Sequence, residues 1–321
     1  MQRLFLSIAL VSLVLAGCAT SGVDDATTST TEPLPVTTTT TVASAFPVTV
    51  VTDNGAVTIE ERPERIVSIS PTSTEVLFAI GAGDQVVAVD SLSNYPQDAP
   101  TTELSAFTPS VEAIAAYDPD LVFISYDPVD LVGGLGALGI PVIVHGTAFS
   151  LDVAYAQWEQ TGVATGHTAE AAQLVAETTT ALEAAYAAVP TSADGLTYYY
   201  EVDNTYFTAT STSFIGQLVA PTGLVNIADE APDPDGFGYP QLSAEYIVGA
   251  NPDLILLADT VYAGENADSV AGRPGWDTIA AVTGGGVVEL NDDIASRWGP
   301  RLVELVEAVV AAIDSVIGVS A

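Results

Sequence analysis

The chain carries almost no positive charge. Of its 321 residues, 6 are Lys or Arg and all six are Arg, against 41 Asp or Glu, so the formal net charge is -35. A protein this acidic is repelled by nucleic acids and by anionic lipid surfaces, which excludes nucleic acid as a partner. With so few cations, each Arg in a folded part of the chain needs a structural or functional reason.

Cysteine is nearly absent as well, since Cys18 is the single one and no internal disulfide can form. It follows an apolar run, Leu4 to Leu15, that is too short to span a bilayer as a stable helix. The small residues Ala16 and Gly17 before Cys18 resemble a bacterial lipobox. This pattern predicts a lipoprotein signal peptide over residues 1–17 and acylation of the Cys18 thiol, which would anchor the protein stably to the outer face of the cell membrane.

Core-forming residues are scarce between residues 18 and 46, where Thr dominates and no apolar periodicity exists. Such a segment cannot repay the entropy of ordering itself, so we interpret residues 18–46 as a flexible tether. Its root-mean-square reach as a coil is roughly 30 Å. Beyond it the chain changes character, and the 48% hydrophobic content of the whole sequence suffices for a sizeable core.

Strands and helices alternate once the tether ends. Residues 65–70 read as a buried strand and residues 86–89 as the next one. Between them, Thr72 and Glu75 have the spacing of a capping box, and Gly81 is a typical helix stop. Repeated alternation of this kind predicts an α/β fold with a mostly parallel sheet covered by helices.

The pattern of residues 110–124 occurs again at residues 243–257, displaced by 133 positions. Both segments place a Glu two residues after a Ser, then Ile, then Pro-Asp-Leu at the start of an apolar strand. We interpret the repetition as two Rossmann-like α/β lobes of related design, over residues 47–149 and 191–321.

An Ala-rich stretch separates the two lobes, at residues 150–190. It predicts one long helix that is capped at Thr168 and ends before Pro190. A helical connection is stiffer than a coil, so we expect a small closure of the lobes around a ligand cleft rather than a large hinge motion.

An ordered series of segments resembles the periplasmic iron-siderophore and vitamin B12 binding-protein family. The series comprises residues 46–51, residues 62–75, the Gly81 turn, the two Glu-Ile-Pro-Asp-Leu units and residues 298–302, and it covers roughly residues 47–313. The resemblance implies two lobes joined by a rigid helix, a ligand held in the cleft, and delivery to an ABC importer without chemistry. A hairpin predicted over residues 48–59 is more like the iron-siderophore branch, so a ferric siderophore is the first expected ligand and cobalamin or haem the alternatives.

Glu112 and Glu245 occupy equivalent positions in the two repeated segments. Near a helix start a carboxylate offsets the helix dipole, which explains both residues without any partner. The family resemblance implies a second role, because its members use one such Glu per lobe to pair with Arg on the two permease subunits. The two roles are compatible, whereas Glu75 is assigned to the capping box alone.

Aromatic residues stand in the loops where a cleft is expected. Ligand loops should follow the carboxyl ends of strands, and aromatic walls suit a large, flat or greasy chelate. The predicted ligand-binding residues are Phe107, Tyr126, Phe237, Tyr239, Arg297 and Trp298. The aromatic residues could instead pack in the core or at a rim, and Arg297 could bind either ligand oxygens or Asp292 or Asp293. Leu92 stands where vitamin B12 binders tend to carry an aromatic residue.

Other classes of site are weakly represented. A metal ion would need three or four converging ligands, and His145 and His167 are the two histidines, so no metal site is predicted. His145 ends a strand and could approach the cleft as an axial haem ligand. No nucleophile elbow, P-loop or dinucleotide fingerprint is present, so we predict no catalytic residue and no cofactor. The main expectation is a monomeric solute-binding protein that serves an importer. The alternatives are a two-lobed extracellular hydrolase and a sensor that has no permease.

Overall fold

Two four-stranded parallel sheets carry the architecture of the computed structural model, which describes residues 45–320. The predicted signal peptide, Cys18 and nearly all of the tether lie outside the described residues. The strands are β1 Val48–Thr52, β2 Gly55–Ile59, β3 Ile66–Ile69, β4 Val86–Val89, β5 Leu121–Ile124, β6 Val142–Val144, β7 Thr197–Glu201, β8 Val225–Asn226, β9 Leu254–Leu257 and β10 Val287–Glu289. The helices are α1 Pro71–Ala79, α2 Val111–Ala115, α3 Leu131–Gly136, α4 Leu151–Thr165, α5 Thr168–Ala187, α6 Phe214–Val219, α7 Ala244–Ala250, α8 Ala267–Ala271, α9 Ala280–Gly284, α10 Asp292–Ser296 and α11 Leu302–Ser320.

The two sheets have the same topology. The first sheet has the strand order β4-β3-β5-β6 and the second the order β8-β7-β9-β10, with every neighbouring pair parallel. Strands β3, β5 and β9 are buried over their full length, as expected where helices cover both faces of a sheet. The predicted α/β fold with two related lobes is confirmed.

The repeated segments form equivalent elements in the two lobes. Ser110 caps α2 and Ser243 caps α7, and each hydroxyl accepts a backbone N–H three residues on, at 3.2 Å. The helices lead into β5 and β9, which are the strands that the Pro-Asp-Leu units predicted. Local capping and apolar runs therefore place both copies of the repeat correctly.

Helix α1 begins earlier than the sequence predicts. Ser70, not Thr72, is the N-cap, and its Oγ accepts the Ser73 amide at 3.3 Å. Pro71 occupies the first helical turn, where a missing N–H costs nothing, and so moves the start forward. The capping box of Thr72 and Glu75 is therefore wrong, and Glu75 is a buried residue inside the helix.

The connection between the lobes contains two helices: α5 corresponds to the long helix that was predicted, and α4, which precedes it, was not predicted. Gly166 adopts a left-handed conformation, with φ of 79°, and ends α4. The N-cap of α5 is His167, without a side-chain hydrogen bond, so the predicted cap at Thr168 is wrong. The two helices pack closely where Gly162 meets Ala171, because a Cβ at Gly162 would lie 2.4 Å from that of Ala171. A tight helical hairpin keeps the connection stiff.

Helix α11 closes the described chain and packs against α5, α10 and β9. It buries Leu305, Val309 and Ile313, which recur every four residues on one face. Among the helices of residues 45–320, none is both long enough and apolar enough to cross a membrane.

Candidate ligand-binding cleft

A cleft of about 570 Å³ opens at the carboxyl ends of the strands of the first sheet. Loops after β3, β4 and β5 supply one wall, and the loop after β9 and the end of α10 supply the other. Its lining residues are Ser70, Pro71, Thr72, Asp90, Leu92, Ala106, Phe107, Ser125, Tyr126, Tyr262, Asp293, Ser296, Arg297 and Trp298. This is where a parallel α/β sheet collects its loops, and both lobes contribute.

An inner chamber of about 180 Å³ adjoins the cleft and shares Ser296 and Trp298 with it. The remaining lining is mostly apolar or aromatic. These residues are Thr147, Ala148, Tyr200, Val202, Phe214, Ile215, Tyr239, Ala258 and Ala295. The hydroxyl of Tyr200 donates to the Ala295 carbonyl at 2.7 Å, so it is not free to bind a ligand.

Most of the predicted aromatic residues lie at these two cavities. Phe107 and Tyr126 line the cleft and are 71% and 43% exposed, whereas Tyr239 lines the inner chamber and Trp298 lines both. Phe237 lines neither cavity and is largely exposed. The structure therefore brings four of the five predicted aromatic residues together.

Tyr262 is a cleft residue that the sequence reasoning missed. It lies in the loop after β9, as Tyr126 lies in the loop after β5, so the expectation that ligand loops follow strand ends could have identified it. Asp292 holds its loop in place by accepting the backbone N–H groups of Val261 and Tyr262 at 2.8 and 2.9 Å. The Tyr262 hydroxyl donates to Asp293 at 2.9 Å, while the side chain stays 60% exposed at the cleft.

Arg297 lines the cleft, but its guanidinium is already occupied. One terminal nitrogen donates to Glu75 at 2.9 Å and to Asn94 at 3.2 Å. The other donates to the Leu92 carbonyl at 3.0 Å and to Asp293 at 2.5 Å. Of the two partners considered from the sequence, Asp293 is the one that Arg297 contacts, and the side chain is 9% exposed.

Acidic side chains outnumber basic ones in the lining of the cleft. Among the described lining residues Arg297 is the sole cation, whereas Asp90 and Asp293 are both carboxylates. Burial raises the pKa of Asp90 above its ordinary value, an effect that hydrogen bonds from Ser93 and the charge of Arg297 oppose. An incoming anion would meet carboxylates and no unpaired cation.

The other arginines of residues 45–320 are engaged away from the cleft. Arg62 contacts the Thr165 carbonyl and His167, and Arg65 contacts the carbonyls of Tyr117 and Asp118. Arg273 pairs with Glu201 and Glu265, and Arg301 pairs with Glu304 and lies 4.3 Å from the ring centroid of Tyr95. None of these four lines the cleft or the inner chamber.

His145 does not reach the cleft. It is 4% exposed, lines neither cavity, and its Nε2 lies 3.0 Å from Oε1 of Gln160. Burial lowers the pKa of His145 to about 4, so the ring is neutral at physiological pH. A role for His145 as an axial haem ligand is therefore wrong. No group of three or more His, Cys, Asp or Glu side chains within residues 45–320 is placed to hold a metal ion.

Glu112 and Glu245 are exposed in the first turns of α2 and α7. Each follows a cavity residue closely, since Phe107 precedes Glu112 by five positions and Tyr239 precedes Glu245 by six. The pKa of Glu112 is lowered because its carboxylate accepts its own backbone N–H and the Ser110 hydroxyl, at 3.0 Å for the latter. Both carboxylates thus stand in solvent, each within six residues along the chain of a residue that lines one of the two cavities.

Comparison with known proteins shows which family the chain resembles. Residues 66–294 match the family described as periplasmic binding protein. The uncharacterised ABC transporter substrate-binding lipoprotein YvrC of Bacillus subtilis is 31% identical, over 84% of this chain and 86% of its own length. The cobalamin-binding protein of Halobacterium salinarum is 33% identical, over 82% of this chain and 73% of its own. The solved vitamin B12 binding protein BtuF of Vibrio cholerae superposes with a TM-score of 0.61 at 25% identity, over 79% of this chain and 98% of that chain.

The chain therefore belongs to the periplasmic binding protein family. It is an extracytoplasmic solute-binding protein of the type that serves ABC importers, and the predicted family and binding role are confirmed. The two-lobed hydrolase finds no support among these relatives, which are transport proteins.

Proposed function

We propose that this protein captures a corrinoid in the cleft and delivers it to an ABC importer, without catalysing a reaction. The observation that carries the choice of ligand is the lack of an unpaired cation among the described residues of the cleft. Ferric siderophores are often anionic and haem carries two propionates, so both would meet Asp90 and Asp293 and find no cation in the described lining that is free to pair with them. Cobalamin has no net charge and is rimmed with amides that can donate to carboxylates and backbone carbonyls.

The aromatic rim supports the same ligand. A corrinoid is larger than the cleft, so part of it would extend past the edge, where Phe107 and Tyr262 present exposed rings. Burying such rings against a macrocycle is favourable, and large ring contacts carry much of the binding free energy at many interfaces. The cobalamin-binding name of the Halobacterium salinarum relative agrees with this proposal.

A ferric siderophore is the second candidate. The hairpin of β1 and β2, which resembles the siderophore branch of the family, is present with the register Val48 to Ile59. The hairpin contacts α4 rather than the cleft. Its presence is therefore a likeness to the siderophore branch and not evidence about which ligand the cleft binds.

Titration of the full chain with cyanocobalamin, haemin and a panel of ferric siderophores tests the ligand. We expect cyanocobalamin to quench the fluorescence of Trp298, with an affinity that changes little with salt because the ligand is neutral. Trp298→Phe should lose the quenching, whereas the matched control Trp276→Phe, which removes a ring buried inside the second lobe, should keep it. Binding of a ferric complex without binding of cyanocobalamin would overturn the proposal.

Glu112 and Glu245 are proposed to dock the protein on the two permease subunits. Their support is equivalent placement in the two lobes, exposure to solvent, and proximity in sequence to the cavity residues Phe107 and Tyr239. Carboxylates on this surface could pair with Arg side chains of a permease, and the pairing would set orientation and association rate.

Charge reversal at the two positions tests docking. Glu112→Ala and Glu245→Ala should each slow uptake in cells, and the double change to Arg should nearly abolish it, while cyanocobalamin affinity stays within about twofold. Glu183→Ala, which removes an exposed carboxylate from α5, is the matched control and should leave uptake unchanged. Wild-type uptake by the double variant would refute the docking role.

A lipid anchor on Cys18 is proposed from the lipobox alone, and the lipoprotein name of the Bacillus subtilis relative supports it. Cys18→Ala should release the protein from the membrane fraction, and mass spectrometry should find no diacylglycerol on it. A variant that still partitions with membranes and carries lipid would contradict the anchor.

A further inference from the structure

We infer that Arg297 is a positioning residue that clamps the two lobes together at the floor of the cleft, rather than a contact for the ligand's charge. The inference concerns the geometry of the cleft and holds for any ligand that fills it. Arg297 is the one cation in the described lining of the cleft, and the sequence analysis predicted it to bind the ligand. The inference gives it a structural role instead.

Three of the four partners of Arg297 belong to the opposite lobe. Glu75 lies in α1, and Leu92 and Asn94 lie in the loop after β4, whereas Arg297 follows α10 of the second lobe. Glu75 is separated from Arg297 by 222 residues and is 3% exposed. A guanidinium with fixed donors in one plane suits such a convergent set better than an ammonium does.

Asp293 completes the clamp from the second lobe. It accepts Arg297 on one oxygen and the Asn94 side-chain amide on the other, at 2.5 and 2.7 Å. Asn94 therefore bonds both members of the ion pair, and the contact between lobes closes into a ring of hydrogen bonds. A closed ring, in which Arg297, Asn94 and Asp293 each bond the other two, holds one geometry more firmly than isolated bonds.

The clamp is continuous with residues that bear on the ligand. Trp298 follows Arg297 directly; its backbone carbonyl accepts the Trp158 indole at 3.1 Å, and its own indole donates to Gln157 at 2.9 Å. The Tyr262 hydroxyl donates to Asp293, so Tyr262 belongs to the same hydrogen-bond network. The clamp thus fixes the distance between the aromatic walls of the two lobes. A loosened clamp should weaken binding of charged and uncharged ligands alike.

The interlobe distance can be measured without any ligand. In the full chain with Cys18→Ser, spin labels at Leu138→Cys and Val225→Cys would report it, since both side chains are at least half exposed and lie in different lobes. Arg297→Lys keeps the charge and loses the planar fork, so we expect a broader or longer distance distribution. Asn94→Ala removes two part-buried hydrogen bonds and no charge, so it should disturb folding less than a change at Arg297, and it should shift the distribution in the same direction.

Binding supplies the second readout. Cyanocobalamin should dissociate roughly 10-fold faster from Arg297→Lys, as expected when a buried charge pair is disturbed, and roughly 2- to 10-fold faster from Asn94→Ala. Glu265→Gln is the matched control: it weakens a part-buried ion pair with Arg273 inside the second lobe, and it should lower stability without changing the interlobe distance.

Unchanged distance distributions in both Arg297→Lys and Asn94→Ala would overturn the clamp, whatever the ligand. An affinity loss confined to anionic probes such as haemin would also overturn it, because that result marks a direct charge contact. If cyanocobalamin fails to bind the wild type, the proposed ligand is refuted, and the distance measurement still decides the clamp.

Discussion

The two lobes share one topology and fill it with different side chains. In the four-stranded sheet of the first lobe, the first strand along the chain is β3, a short aliphatic run that contains Ser68. Its counterpart in the second lobe, β7, holds three consecutive buried tyrosines, Tyr198 to Tyr200. Tyr198 and Tyr200 each need a hydroxyl partner, and they find Asn226 and the Ala295 carbonyl at 2.9 and 2.7 Å. Strand and helix alternation thus sets the strand order, and the choice of core residues sets which polar partners must be buried with them.

The lobes also differ in whether the partner of a buried carboxylate lies in the same lobe or in the other one. In the second lobe, Arg273 pairs internally with Glu201 and Glu265 and lies 4.6 Å from the ring centroid of Trp276. In the first lobe, the buried carboxylate Glu75 pairs across the cleft with Arg297. A buried arginine–carboxylate ion pair therefore stabilises the second lobe internally at Arg273, and a second such pair joins the two lobes at Arg297.

Removing Arg273 should produce the largest loss of stability. Both oxygens of Glu201 accept its terminal nitrogens at 2.6 Å, and Glu201 is fully buried, so Arg273→Ala leaves a buried charge without its partner. We expect a loss of about 3–5 kcal/mol in the free energy of unfolding. Urea denaturation followed by fluorescence and circular dichroism measures it.

The first lobe offers the comparison for that experiment. Arg65 is half exposed and contacts the carbonyls of Tyr117 and Asp118, so Arg65→Ala should cost at most about 1 kcal/mol. Equal losses in the two variants would show that burial of the pair does not govern its contribution.

Asp259 should make the stability of the second lobe depend on pH. It is 5% exposed, and neither carboxylate oxygen has a hydrogen-bond partner among the described residues. Burial and the charges of Glu201, Glu265 and Asp292 raise its pKa to about 7, against the opposing charge of Arg273. Because the folded pKa lies above the unfolded one, the stabilising effect is complete at acidic pH and is lost as the pH rises through about 7.

Asp259→Asn should remove this dependence. We expect the variant to be more stable than the wild type by about 1–3 kcal/mol near pH 8, with the difference shrinking toward pH 5. In the first lobe, Asp90→Asn should show a smaller effect, because Arg297 and Ser93 partly offset the burial of that carboxylate. Denaturation midpoints across this pH range measure both, and parallel curves for wild type and Asp259→Asn would contradict the assignment.

The smallest expected effect concerns a feature found in the first lobe, the hairpin tip that covers the edge of its sheet. The Asn54 side chain donates to the Val142 carbonyl at 2.9 Å and accepts the Val144 amide at 3.1 Å, as a neighbouring strand would. Asn54→Ala should cost about 1 kcal/mol and speed hydrogen exchange in β6. Thr58→Ala on the outer face of the hairpin is the control, and equal exchange in both variants would count against the capping role.

Local patterns predicted the fold well and the tertiary contacts poorly. Helices α2 and α7 and the strands that follow them were predicted correctly, because capping residues and apolar runs act within a few positions. The start of α1 was misplaced because Pro71 favours an earlier cap. Helix α4 was not predicted, because only the Ala-rich run that follows Thr168 was interpreted as a helix.

The candidate site was predicted in part. Loops after strand ends identified Phe107, Tyr126, Tyr239 and Trp298 as cavity residues, since parallel sheets gather such loops at one edge. His145 was misjudged because position in a strand does not tell which layer of the fold covers the residue. The roles of these residues in ligand binding stay predictions until the titrations are done.

What the sequence by itself determined is the alternation of strands and helices, its repetition in two lobes, and the strong negative charge. Those properties depend on composition and on neighbours within a few residues. What only the tertiary structure decided is which of 41 acidic residues meets which arginine. Arg297 and Glu75 are 222 residues apart, and they meet because the loops of two separate sheets face one cleft. An ion pair depends on distance in space, and no local pattern encodes that distance across two lobes.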